Sequence, residues 1–135
     1  MAINPEIFEK QLVVEKRHLD KQEHVNNVEY VQWVQDVAEA HWEARATEEQ
    51  KSQVIWVVVK HEINYKKEAF LGEHISLQTY VGEVTHVTSV RHVIIKNTDS
   101  GKVLAEAKTT WCLLDSATKR PVKISDDLKK VFLQS

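Results

Sequence analysis

The sequence predicts an α+β domain in which an antiparallel sheet curls around one long helix. Three observations carry this. A single long segment, Val28–Ala46, repeats apolar residues at spacings of three and four. Everything after Ser52 changes to a period of two. The alternating segments are joined mainly by short turns, which makes neighbouring strands antiparallel. The 135 residues fit one domain, 1–135, by size.

Taken in order, Gln11–His18 is half apolar and partly alternating, so it reads as a strand. Leu19–Asn27 is polar and interrupts it. In the helix, Val28, Val31, Val34, Ala38 and His41/Trp42 form the stripe, widened by Tyr30, Trp33 and Val37. Asn26 or Asn27 stands at the N-cap, where an Asn side chain accepts an orphaned backbone N–H. Thr47-Glu48-Glu49-Gln50 is a second capping signal and predicts a short helical turn ending near Ser52. Val54–Tyr65 is rich in Val and Ile and reads as a strand buried on both faces at its start. Ile75–Gly82 and His86–Thr98 alternate, Asp99-Ser100-Gly101-Lys102 signals a hairpin, and Val103–Asp115 alternates again. Ser125-Asp126-Asp127 caps a last short helix reaching about Gln134. Val- and Ile-rich strands covered on one side leave an apolar face, so a dimer or a larger assembly is expected.

Composition excludes several kinds of function. Gly72, Gly82 and Gly101 are isolated, so there is no glycine-rich phosphate loop. Eighteen basic against twenty acidic residues argue against a nucleic-acid binder held by bulk charge. One cysteine, Cys112, permits neither an internal disulfide nor a Cys-based zinc site, and reads as a buried, inert thiol. The seven histidines lack metal-ligand spacing: His61-Glu62 has no second His four residues on. No metal and no cofactor are expected. The longest apolar run, Val54–Val59, is too short to cross a membrane, and a soluble, reducing, cytoplasmic setting is the default expectation.

The segment Asp20–Trp33 gathers an acid, a histidine and two asparagines on a loop running into a helix start. A helix N-terminus carries free N–H donors and about half a positive charge. Those donors can hold the charge that builds on a carbonyl oxygen during acyl transfer. Asp20 could act as general base on water or attack the carbonyl itself. Asp, Asn and His are also ordinary capping residues before a helix, and that structural reading stands beside the chemical one.

His24-Val25-Asn26-Asn27-Val28-x-Tyr30-x-x-Trp33, with Asp20 four residues before the His, resembles the signature of hotdog-fold acyl thioesterases. It is similar to the 4-hydroxybenzoyl-CoA thioesterase family and especially to the plant and bacterial acyl-ACP thioesterases. The resemblance implies hydrolysis of an acyl-CoA or acyl carrier protein thioester. It implies Asp20 as the catalytic carboxylate and the backbone N–H near Asn27 as the carbonyl-oxygen site. It implies that His24 and Asn26 or Asn27 line or brace the site and that Tyr30 borders the acyl pocket. It also implies an active site between subunits of a homodimer or homotetramer. Three positions depart from the family pattern: His18 where relatives carry Asp, Gln22 where acyl-ACP enzymes carry Asn, and Glu23 where a Gly is frequent.

Lys66 and Lys67, at a strand end, are the first candidates for the phosphates of CoA or phosphopantetheine, ahead of Lys60, Arg91 and Arg120. Two other readings remain open: a hydratase or dehydratase on the same fold, and a non-catalytic acyl-CoA-binding protein.

Overall fold

The computed structural model describes residues 4–133. Five strands form one antiparallel sheet: β1 (Phe8–Val13), β2 (Val54–Tyr65), β3 (His74–Val84), β4 (Thr88–Asn97) and β5 (Val103–Asp115), ordered β1-β3-β4-β5-β2. Helix α1 (Asn27–Arg45) lies against the sheet, followed by the short α2 (Glu48–Gln53) and, near the end, α3 (Asp126–Lys130). This is the α+β arrangement expected, the hotdog fold. No helix among the described residues is long and apolar enough to cross a membrane.

The caps explain where the helices begin. Asn26 is the α1 N-cap, and its side chain accepts the Val28 N–H at 3.1 Å. Thr47 and Gln50 form a reciprocal capping box at α2. Ser125 accepts the Leu128 N–H and opens α3, which ends at Lys130, short of the Gln134 expected; that residue lies outside those described.

Helix α1 is rotated from the expected stripe. Its buried residues are Tyr30, Trp33, Val34, Val37, Ala38 and His41, whereas Val28 is 69% exposed. The residues that widened the stripe are its centre. They meet Ile75 and Leu77 of β3, Val93 and Ile95 of β4, and Ala105 and Ala107 of β5 in one core cluster. Each large side chain buried there contributes about 1.5–3 kcal/mol. The two alanines of β5 leave room for the aromatic rings of the helix, whose Tyr30 and Trp33 pack edge to face. A smaller cluster of Leu113, Ile124 and Leu128 closes the other end with Trp42 and Trp56.

Two strand expectations need correction. The first strand is Phe8–Val13, not Gln11–His18; the chain then tightens into a 3-10 turn at Lys16–His18, and His18 is buried. There the His18 Nδ1 accepts the Glu15 N–H at 2.9 Å, which satisfies a backbone donor and ends the strand. The start of β2 is not buried on both faces: Val54, Ile55 and Trp56 are half-buried, Val57 and Val59 are exposed, and the strand lies at the sheet edge. On β4 the open face of the sheet interleaves Val90 and Ile94 with His92 and Lys96, all half-buried; Val28, Phe70 and Leu71, off the sheet, and Val59 and Tyr65, on β2, are exposed.

Candidate active site

The polar segment before α1 is a small hairpin. Leu19 and Val25 pair across it, and the Asp20 N–H donates to the His24 carbonyl at 2.7 Å. The Asp20 Oδ1 accepts the backbone N–H of Gln22 at 2.9 Å and of His24 at 3.1 Å. Asp is suited to this turn because its short carboxylate reaches its own backbone two residues on. Glu23 sits in the left-handed region at φ 65°, the conformation that favours glycine. This chain meets that backbone conformation with a strained Glu.

The hairpin is stitched to the segment after β2. His24 pairs with Phe70, its ring stands edge-on to the Phe70 ring, and its Nδ1 lies 3.3 Å from the Glu68 carboxylate. The Val25 N–H donates to the Ala69 carbonyl, and the Asn26 N–H returns to His18. These bonds fix where α1 starts. The first N–H of the helix, on Asn27, has no acceptor among the described residues, since Asn26 caps Val28 and its carbonyl takes Glu29.

That helix start opens on a cleft of about 340 Å³, lined by Asn27, Tyr30, Lys66 and Lys67 together with Val25, Tyr65 and Glu68. Four of the expected site residues, Asn27, Tyr30, Lys66 and Lys67, thus meet around one opening. Asp20, His24 and Asn26 lie on the hairpin beside it and do not line it. Tyr30 is 2% exposed; its hydroxyl lies by the Ala69 backbone without a hydrogen bond of good geometry, and burial pushes its pKa up to about 12. It is a neutral phenol at ordinary pH.

Cationic charge gathers at the rim. Lys66 pairs loosely with Glu106 at 3.8 Å. Lys67 faces Lys102, and this like-charged neighbour holds its pKa below the usual lysine range. Tyr65, Glu68 and Lys102 are the residues the sequence reading missed. Tyr65 and Glu68 flank the Lys66-Lys67 pair in the chain, a signal available beforehand; Lys102 comes from the β4–β5 turn and shows only in three dimensions. Cys112 is buried, as expected of an inert thiol.

Comparison with known proteins gives a consistent family. A family profile described as the acyl-ACP thioesterase N-terminal domain matches residues 5–132. The long-chain acyl-CoA thioesterase FadM of Escherichia coli (strain K12) is 24% identical over 132 residues, 94% of this chain and 98% of the relative. The chloroplastic oleoyl-acyl carrier protein thioesterase 1 of Arabidopsis thaliana is 27% identical over 90 residues, 67% of this chain and 25% of the relative. The chain therefore matches only about a quarter of that plant enzyme's length. Among solved structures, a 1,4-dihydroxy-2-naphthoyl-CoA thioesterase from Synechocystis superposes with a TM-score of 0.82 at 13% identity, covering 93% of this chain and 95% of that one. That likeness shows the shared fold.

Proposed function

The chain belongs to the family of acyl-ACP thioesterase N-terminal domains and is an acyl thioesterase; from that premise we propose how it hydrolyses an acyl-CoA or acyl-ACP thioester. The thioester carbonyl oxygen sits on the Asn27 N–H at the helix start, where the backbone dipole stabilises the developing oxyanion. Asp20 takes a proton from water, which attacks the carbonyl carbon, and the thiolate leaves. His24 and Asn26 brace the hairpin that carries Asp20, and Tyr30 borders the acyl group. Lys66 and Lys67 take the phosphates of the CoA or phosphopantetheine arm. The cleft is completed by a second copy of the chain, in a homodimer or a pair of dimers. This suits the exposed Val28, Tyr65, Phe70 and Leu71 around the opening.

The observation that carries the reading is the acceptor-free Asn27 N–H on the wall of a cleft rimmed by lysines. Two backbone N–H groups engage the Asp20 Oδ1, which leaves its second carboxylate oxygen to take the water proton. A panel of acyl-CoAs of different chain length, with released thiol detected, tests the mechanism. Thiol release by the native chain that persists undiminished in Asp20→Asn removes Asp20 from it.

A further inference from the structure

The other end of α1 holds a second cavity, of about 280 Å³, between the helix, β2, β4 and β5. It is about 16 Å along the helix from Asn27, counting 1.5 Å per residue to Ala38. Its walls are apolar and aromatic: Ala38, Trp42 and Phe132 among them. Two of the lining residues carry hydrogen-bond donors without acceptors among the described residues. The indole N–H groups of Trp56 and Trp111 are buried and unpaired among the described residues. Ser89 is 5% exposed and Arg91 only 4%.

A guanidinium so deeply buried normally faces a carboxylate. Arg91 does not. Its Nη1 donates to the His41 Nδ1 at 2.9 Å and to the Thr79 Oγ1 at 3.1 Å, and its plane lies over the Phe132 ring. Because arginine only donates, the His41 Nδ1 must accept, and the His41 proton sits on Nε2, 2.8 Å from Glu6. His41 is therefore neutral in this network. Glu6 is already matched by the two-oxygen contact with Arg45. Among the described residues, one buried positive charge remains without an anion. At the rim Glu43 is tied to Lys51 at 3.1 Å, and Glu39 is exposed.

We propose that this cavity binds an apolar or aromatic monocarboxylate, with its carboxylate on Arg91 and the indole N–H groups and its body against Trp42 and Phe132. A carboxylate supplies the planar acceptor pair that a guanidinium fits and the single negative charge the network lacks. Phosphate fits less well, since one arginine faces it among apolar walls with two glutamates at the mouth. The volume, about 280 Å³, lies just below the usual range of ligand pockets, ~300–1,000 Å³, and suits a short-chain or single-ring acid.

The test titrates octanoate and benzoate against the whole chain, read by tryptophan fluorescence and calorimetry, with octanamide and benzamide as uncharged matches. At least one acid binds saturably, and at least about tenfold more tightly than its amide. Arg91→Gln abolishes that preference. Trp111→Phe, which removes one N–H and keeps an aromatic wall, weakens the acid about threefold and protects against an Arg91 variant that fails to fold. No binding of either acid up to about 10 mM, equal affinity for acid and amide, or an unchanged Trp111→Phe affinity overturns the proposal. No thioester is present in the titration, so its failure leaves the hydrolysis reading untouched, and the reverse holds.

Discussion

The Oδ1 of Asp20 accepts the backbone N–H of His24 at 3.1 Å, so the carboxylate proposed to activate water also holds its own hairpin closed. Asn and Ala substitutions separate the two duties. Asp20→Asn keeps an Oδ1 acceptor for Gln22 and His24 and loses the charge. Its thermal midpoint stays near the native value while kcat falls by at least ~10²-fold, the usual size of a general-base contribution. Asp20→Ala loses both bonds and is destabilised by a further ~1–2 kcal/mol. Thiol-release kinetics and thermal melts of the two variants check this, and equal melting points would remove the hairpin role.

Glu23 occupies left-handed backbone at φ 65°, which costs a residue with a Cβ about 1–2 kcal/mol. Glycine relieves that strain and gives part of it back as chain entropy in the unfolded state. Glu23→Gly is expected to stabilise the chain by about 0.5–1 kcal/mol. The urea midpoint measures it, and a midpoint at or below the native one contradicts it.

The crowding of Lys67 by Lys102 marks a site ready for an anion. Lys67→Ala lowers affinity for an acyl-CoA and leaves the chemical step alone. KM rises about three- to tenfold with kcat unchanged, and the difference shrinks as salt is raised. A fall in kcat at constant KM would place Lys67 in the chemistry instead.

Stability should fall on the acid side through His41. Its side chain is fully buried, and burial lowers its pKa from 6.5 to about 4. Between those values the unfolded chain binds a proton that the folded chain refuses. The contribution is complete above about pH 6.5 and is lost as pH falls toward 4. Glu6, held below the usual carboxylate range by Arg45, adds to the loss in the same direction. Thermal midpoints recorded from pH 8 to 4 should be flat above about 6.5 and drop below it. In His41→Gln the part of the slope between pH 6.5 and 4.5 disappears.

Period and caps made the long helix and strands β3 to β5 legible before any coordinates: Asn26, Thr47 and Ser125 cap the helices, and β5 has the expected bounds. The helix face was less legible, because apolar residues surround Tyr30 and Trp33 and only packing chooses among them. The place of β2 in the sheet was not legible. A run of valines reads as central, and its edge position follows from strand order. The motif at Asp20–Tyr30 identified a family by its residues, yet the same residues also make the caps and turns of a hairpin. The Arg91–His41–Glu6 chain joins residues 35 and 50 positions apart in sequence. No local pattern announces it.

The strand order has a consequence for how the polypeptide comes together. β1 pairs with β3 and β2 pairs with β5, so neither of the first two strands finds a mate within the first half of the chain. In a nascent chain β1 waits for β3, complete at residue 84, and β2 for β5, complete at residue 115. The β3–β4–β5 meander, whose neighbours are sequential, is the natural seed. The earlier strands join its two borders afterwards, which gives the fold many contacts between residues distant in sequence and slows its assembly.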